Sequence, residues 1–222
     1  MPARSAQITR KTKETDIKLC LDLAGGSYTN KTGVGFLDHM LDHVARHGRL
    51  GLSIQATGDT HIDDHHTVED VGIVLGQALD QALGDKKGIN RYGFASVPMD
   101  DALARVSIDL SGRFALVFAV NSPAFRSSDA PPATPVPLAP QPKGPPAGGT
   151  CSGGKIGTFD TQLVEEFLRA LALNAKCNLH VEVPHGHNYH HIAEAIFKAL
   201  GLALKQAVAI TGTDVPSTKG TL

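Results

Sequence analysis

The sequence predicts an α+β protein made by tandem duplication of a half-domain. Each half is a small, mostly antiparallel sheet plus two helices, and the helices pack between the two sheets. Three observations point there. A His-His-x-x-Glu motif occurs twice, as His65-His66-Thr67-Val68-Glu69 and His190-His191-Ile192-Ala193-Glu194. Each copy is preceded by the same order of periodicities: strands, a helix, a short strand, and then a helix that begins at the motif. The 222-residue length suffices for one large domain or two small ones with a real core.

The repeat can be followed beyond the motif. With an offset of 125, residues 65–83 lie over 190–208 without a gap, sharing His, His, Glu and the Ala-Leu and Gln-Ala of the last turn. Upstream the offset becomes 127, placing Leu52-Ser53-Ile54 over Leu179-His180-Val181 and Phe36–His47 over Leu163–Asn174. Further back, Asp22-Leu23-Ala24-Gly25 lies over Asp109-Leu110-Ser111-Gly112. Residues 1–90 therefore read as the first half-domain and 91–222 as the second.

In the first half, Ile17 to Leu23 alternates as a half-buried strand does, 36–48 is helical, Leu50–Ala56 is a short strand, and Val68–Leu83 has apolar residues at helical spacing. In the second, Leu103–Leu110 and Ala115–Val120 alternate, and 160–174 is helical with Asp160 as its N-cap and Glu165 and Glu166 inside. Asn178–Val183 is a strand and Ile192–Val208 a helix. One segment interrupts the repeat. Residues 123–157 hold nine of the 13 prolines, with much Gly and Ser and little apolar periodicity, and read as a disordered surface loop. Its PxxP matches at Pro132–Pro135, Pro137–Pro140 and Pro142–Pro145 read as spacer.

Composition narrows the function classes. Lys+Arg is 21 and Asp+Glu 22, a net charge of -1, so no basic excess suggests a nucleic-acid partner. No apolar run approaches membrane-spanning length, and Met1 to Thr15 lacks the apolar core of a signal peptide, so a cytoplasmic location is expected. Cys20, Cys151 and Cys177 have no CxxC spacing, which argues against a disulfide framework or a zinc knuckle. Histidine is the outlier: eleven are present, gathered in residues 39–66 and 180–191.

Residues four apart lie on one helix face, and adjacent residues diverge by roughly 100°. His65 with Glu69, and His190 with Glu194, can thus each chelate one metal, while His66 and His191 point to another. Two such helix starts set face to face would hold two metals, one on His65, Glu69 and His191, the other on His190, Glu194 and His66. A single motif of this kind reads as a polar helix start; its recurrence at matching places favours metal. The register also pairs His39 with Glu166, each a further ligand from the first helix of its half. Nitrogen and oxygen ligands without thiolate suit Mn²⁺, Fe²⁺ or a similar six-coordinate ion better than a closed zinc site. Arg91, Arg113, Lys198 and Lys219 are candidates for an anionic substrate group.

These residues also resemble a known family, the imidazoleglycerol-phosphate dehydratases. The matching stretches are Leu37-Asp38-His39-Met40-Leu41-Asp42-His43, His61-Ile62-Asp63-Asp64-His65-His66-Thr67-Val68-Glu69-Asp70, Asp109-Leu110-Ser111-Gly112-Arg113, His190-His191 through Lys198, and Pro216-Ser217-Thr218-Lys219-Gly220. The resemblance implies two Mn²⁺ per active site, other divalent metals being open, and dehydration of imidazole-glycerol phosphate to imidazole-acetol phosphate in histidine biosynthesis. It implies metal ligation by His39, His65, His66, Glu69, His190, His191 and Glu194, the eighth position falling on Glu166 where many relatives carry histidine. Catalytic roles are implied for Glu14, as the carboxylate that moves protons, and for His65, His66, His190 and His191. Substrate contacts are implied for Glu14, His39, His43, His47, Arg91, Arg113, Lys198, Ser217, Thr218 and Lys219. It further implies a homo-oligomer, a 24-subunit shell built from trimers with sites shared between subunits. His185, His187 and Tyr189 depart from the family's usual residues and crowd the second motif. Two rivals share the metals: a dinuclear phosphate-ester hydrolase, which would release inorganic phosphate, and a metal-storage shell, which would need no basic substrate site.

Overall fold

A computed structural model describes residues 4–120, 122–125 and 154–220. The first half runs β1 (Ser5–Lys11), β2 (Thr15–Asp22), β3 (Tyr28–Lys31), α1 (Gly35–Gly48), β4 (Gly51–Gly58) and α2 (His65–Leu83). The second runs β5 (Tyr92–Met99), β6 (Ala102–Asp109), β7 (Ala115–Val120), a two-strand ribbon of β8 (Lys155–Ile156) and β9 (Phe159–Asp160), α3 (Leu163–Asn174), β10 (Asn178–His185) and α4 (Tyr189–Ala207). The two main sheets have the same topology, β1-β2-β4-β3 and β5-β6-β10-β7. In each, the last strand pairs in parallel with its neighbour and the other pairings are antiparallel.

The duplication shows most clearly in β2 and β6. Both are eight residues long and share one alternation of buried and open positions. Ile17, Leu19 and Leu21 of β2 correspond to Ala104, Val106 and Ile108 of β6, all in the core. The sheets lie outside and the helices inside: α1 and α2 cover the first sheet, α3 and α4 the second. Between the layers the partners are exchanged, α2 packing on α3 and α1 on α4. Equivalent glycines permit this approach. A Cβ on Gly76 would lie 2.6 Å from the Leu171 carbonyl oxygen, and one on Gly201 2.8 Å from that of Val44.

The differences from the sequence reading have local causes. β1, β3 and β5 escape periodicity because β5 turns Gly93 and Ala95 inward and Tyr92 and Phe94 outward, β1 has polar Arg10 among its inward positions, and β3 has only four residues. The helix of the second half starts at Leu163, not at 160. Asp160 belongs to β9 and its Oδ1 accepts the Gln162 N–H at 3.0 Å, turning the chain into the helix without capping it. Residues 126–153 of the proline-rich stretch, with its PxxP matches, lie outside the described residues. Its flanks are tied into the core. Phe125 is fully buried, its ring edge-on to Tyr189, and the Thr161 hydroxyl donates to the Ala124 and Gly154 carbonyls.

Candidate metal and substrate site

The start of α4 builds the denser cluster. Asn188 caps the helix, its Oδ1 accepting the N–H groups of His190 (2.9 Å) and His191 (3.4 Å). One turn on, Glu194 Oε2 lies 3.0 Å from His190 Nε2. Because α4 packs on α1, the same carboxylate meets the first half of the chain: His39 Nε2 is 3.7 Å from Oε2 and His43 Nε2 3.3 Å from Oε1. Ligand-type atoms of His39, His43 and Glu194 all fall within 4.8 Å of one another. Lys198, one turn after Glu194, places its Nζ 2.6 Å from Glu194 Oε1 and 3.4 Å from Met99 Sδ. His47 stacks on His43 at 5.8 Å, extending the line of imidazoles along α1.

The charges follow from this crowding. Burial opposes ionisation of Glu194, but the Lys198 ammonium, with His43 and His190, holds its carboxyl down at about 2. Burial pushes His43 down to about 4 against the pull of Glu194, so its ring is neutral near pH 7. His47 is lowered too, by burial and by the Lys198 and Arg46 charges. An anionic carboxylate facing neutral imidazoles is the protonation state a divalent cation requires.

The start of α2 is more open. Asp63, two residues before His65 as Asn188 is before His190, accepts the His65 N–H at 2.8 Å. His65 Nε2 and Glu69 Oε2 are 3.9 Å apart. Beside them lies a cleft of about 690 Å³ lined by His65, Asp64, Asp160 and Glu166 among others. Glu166 of α3 thus lines the same cleft as His65. Glu165 turns away and is 3% exposed, with its Oε1 2.5 Å from Arg169 Nη2. Asp70, next to the motif, is an anchor: it pairs with Arg10 and accepts the Thr15 hydroxyl, tying α2 to β1 and β2.

The second histidine of each motif has a different setting. His66 Nδ1 lies 3.0 Å from Asp59 Oδ2, and that contact raises its pKa above the usual imidazole range, with smaller contributions from Glu14 and Asp63. His191 Nδ1 lies 2.6 Å from Asp101 Oδ1. Asp59 and Asp101 were not singled out in the sequence. The available signal was that Asp101 stands at the same offset from Glu14, 87 residues, as Asp109-Leu110-Ser111-Gly112 does from Asp22-Leu23-Ala24-Gly25. Glu14 is exposed in the β1–β2 turn, within electrostatic range of His66. Of the residues crowding the second motif, His187 contributes its backbone N–H to Asp101, Tyr189 packs on Phe125, and His185 ends β10 opposite Leu103.

A second cleft, of about 540 Å³, gathers Arg91, Arg113, Ser217, Thr218 and Lys219. Arg91 is held by a two-pronged contact to Asp109 (2.7 and 3.1 Å) and donates from Nη1 to the Pro216 carbonyl at 2.8 Å, which brings the C-terminal segment to the cleft. Arg113 has no carboxylate partner among the described residues. Ser217 Oγ accepts the Lys219 N–H at 3.2 Å. Lys198 is not part of this cleft and stays at Glu194.

Within one chain the two motifs are not set face to face. α2 lies against α3 and α4 against α1, so the structure shows one close cluster, His39–His43–His190–Glu194, and apart from it the His65–Glu69 pair beside a cleft that Glu166 also lines. His66 and His191 stand beside their aspartates and are not gathered into either one.

Comparison with known proteins shows the family. Residues 32–131 and 146–204 match the family model described as imidazoleglycerol-phosphate dehydratase. Imidazoleglycerol-phosphate dehydratases of Ruegeria sp. (strain TM1040) and Desulforamulus reducens are 50% and 52% identical to the chain, covering 99% of it and 100% and 98% of their own lengths. Among solved structures, the imidazoleglycerol-phosphate dehydratase of Staphylococcus aureus superposes with a TM-score of 0.72 at 38% identity, covering 93% of this chain and 99% of its own. A relative from Pyrococcus furiosus, solved in complex with (S)-C348, gives 0.71 at 35% identity over 97% and 100%.

Proposed function

The chain belongs to the imidazoleglycerol-phosphate dehydratase family, and from that premise we propose that it dehydrates imidazole-glycerol phosphate to imidazole-acetol phosphate in histidine biosynthesis, as a metal-dependent hydro-lyase of the cytoplasm. The observation that carries the proposal is the imidazole–carboxylate cluster at the start of α4, with the repeat-related His65–Glu69 pair at the start of α2 and a basic cleft in the same chain.

The donor set fits the two divalent ions the family implies. At the start of α4, Glu194 is held as an anion with the donor atoms of His39 and His43 within 4.8 Å and His190 at 3.0 Å; at the start of α2, the His65–Glu69 pair repeats the imidazole–carboxylate chemistry. His39, His190 and Glu194 would hold one ion and His65, Glu69 and Glu166 the other, with His66 and His191 as further ligands. Imidazole and carboxylate ligands favour Mn²⁺ or a neighbouring metal. When bound, such ions supply Lewis acidity to the imidazole ring of the substrate and a template for its orientation. Since His66 and His191 stand apart from the cluster and from the pair within one chain, each site is completed by another copy, in keeping with a homo-oligomer of 24 subunits built from trimers.

The remaining roles follow from charge. Arg113 and Lys219, with Ser217 and Thr218, bind the phosphate, and Arg91 holds that cleft in shape through Asp109 and Pro216. Lys198 keeps Glu194 ionised while remaining within reach of substrate oxygen. His43 and His47, uncharged near neutral pH, offer the substrate hydroxyls a donor or an acceptor. Glu14, exposed beside His66, is the carboxylate that takes the carbon-bound proton and returns it.

The test is to incubate the Mn²⁺-loaded protein with imidazole-glycerol phosphate and assay the ketone. Formation of the ketone without inorganic phosphate is expected; phosphate release would assign a hydrolase, and metal binding without turnover a storage protein.

A further inference from the structure

The roles above leave Asp59 and Asp101 unused. We infer that they are positioning residues for the second histidine of each motif, engaging Nδ1 of His66 and of His191 so that Nε2 is kept as the ligand atom; this rests on the metal role proposed above. A neutral imidazole that donates from Nδ1 keeps its lone pair on Nε2. A carboxylate behind a ligating ring fixes its tautomer and orientation and raises its basicity. The separations, 3.0 Å for Asp59–His66 and 2.6 Å for Asp101–His191, are those of direct hydrogen bonds.

The two halves arrive at this contact by different routes. The offset of 127 that carries β4 onto β10 sets Asp59 opposite Gly186. A Cβ at Gly186 would lie 2.7 Å from Ile192 Cγ1 and 3.0 Å from Ala102 Cβ, so the second half has no room for a side chain there. Its carboxylate comes instead from Asp101, in the turn between β5 and β6. The offset of 87 that carries β2 onto β6 sets Asp101 opposite Glu14, in the turn between β1 and β2. The second half thus spends its hairpin-turn carboxylate on orienting His191. In the first half Asp59 does that work, and Glu14 stays exposed; its backbone N–H donates to Thr12 Oγ1 and its carbonyl accepts the Asp59 N–H at 3.1 Å, which leaves its carboxylate open. Of the repeat-related pair Glu14 and Asp101, the division of labour leaves Glu14 open to substrate.

Asp101 does more than hold a ring. Its Oδ2 accepts the backbone N–H groups of His187 (2.6 Å) and Asn188 (3.1 Å), and Asn188 caps α4, so the carboxylate couples the helix start to the His191 ring. His191 Nε2 has the exposed Asp100 carboxylate at 3.5 Å. Asp59 is the cleaner probe: its Oδ2 meets His66, and its Oδ1 is buried without a partner.

The test uses the full-length protein, stripped of metal and titrated with Mn²⁺ while the free ion is followed by electron paramagnetic resonance. Asp59→Ala and Asp101→Ala should each weaken Mn²⁺ binding about 10–100-fold, the range for loss of such a partner. Asp59→Asn and Asp101→Asn, which keep an acceptor oxygen, should recover part of the loss. Nitrogen-15 spectra of the metal-free protein give a reading independent of metal: His66 should carry its proton on Nδ1 in the parent and populate both tautomers in Asp59→Ala. Wild-type Mn²⁺ affinity in Asp59→Ala, or an unchanged His66 tautomer, would overturn the inference. A parent protein that binds no Mn²⁺ would sink the metal reading instead, and the tautomer spectra would still decide the positioning.

Discussion

His39 Nε2 on α1 lies 3.7 Å from Glu194 Oε2 on α4, although 155 residues of chain separate them. The exchange of helix partners between halves makes this contact: the motif of the second half is served by the first helix of the first, and α3 in turn packs on α2, where Glu166 and His65 line one cleft.

Glu194→Gln removes the anion shared by His39, His43, His190 and Lys198. One metal per subunit should be lost on dialysis and turnover should fall at least 100-fold, measured by metal analysis alongside the ketone assay. Two tightly held metals in the variant would remove Glu194 from the ligand set.

Glu166 and Glu165 should separate cleanly. Glu166→Gln, at the cleft, is expected to lower metal content and activity severely with little change in Tm, and Glu166→His to retain substantial metal. Glu165→Gln should keep both metals but lower Tm, because its buried carboxylate is the partner of Arg169. The same measurements on all three variants decide it.

Gly76→Ala and Gly201→Ala test the helix exchange. The added Cβ meets backbone atoms of the partner helix, which cannot swing aside, so each change should cost about 1–3 kcal/mol in denaturant unfolding. Unchanged stability in both would mean that the helices sit further apart.

Burial pushes the Cys177 thiol up to about 12 from its ordinary value of 9.0. The folded state therefore favours the protonated thiol, a contribution that is complete below pH 9 and fades as pH rises toward 12. At pH 8 the thiolate fraction is on the order of 10⁻⁴. In a Cys151→Ser background, iodoacetamide should modify exposed Cys20 and spare Cys177 until the protein unfolds, as read by mass spectrometry.

Metal removal should act on assembly as well as activity. If the motifs are completed between copies, chelation should shrink the particle on size-exclusion chromatography and abolish turnover, with Mn²⁺ restoring both. A full-size, fully active particle after verified metal removal would refute sites shared between subunits.

Much of the fold was legible because duplication lets one half check the other. The double motif, the strand–helix order and the register pairing His39 with Glu166 can all be read from spacing, since residue offsets survive even where identities do not. Strands β1, β3 and β5 were not legible: β5 buries Gly93 and Ala95 and exposes Tyr92 and Phe94, β1 is polar on both faces beyond Ile8, and β3 is only four residues long.

By itself the sequence determined the fold class, the repeat, the family and the residue types available for metal and phosphate, because these follow from periodicity, composition and motif order along the chain. The tertiary structure alone decided which helices became partners, and so that Glu194 meets α1, that Glu166 faces the α2 cleft while Glu165 is buried, and that Lys198 stands at Glu194 and not among Arg91, Arg113 and Lys219. It also decided that Asp59 and Asp101 stand behind His66 and His191. The physical reason is that helix pairing depends on where backbones can approach, here at Gly76 and Gly201, and close approach is a property of two surfaces that no one-dimensional pattern encodes.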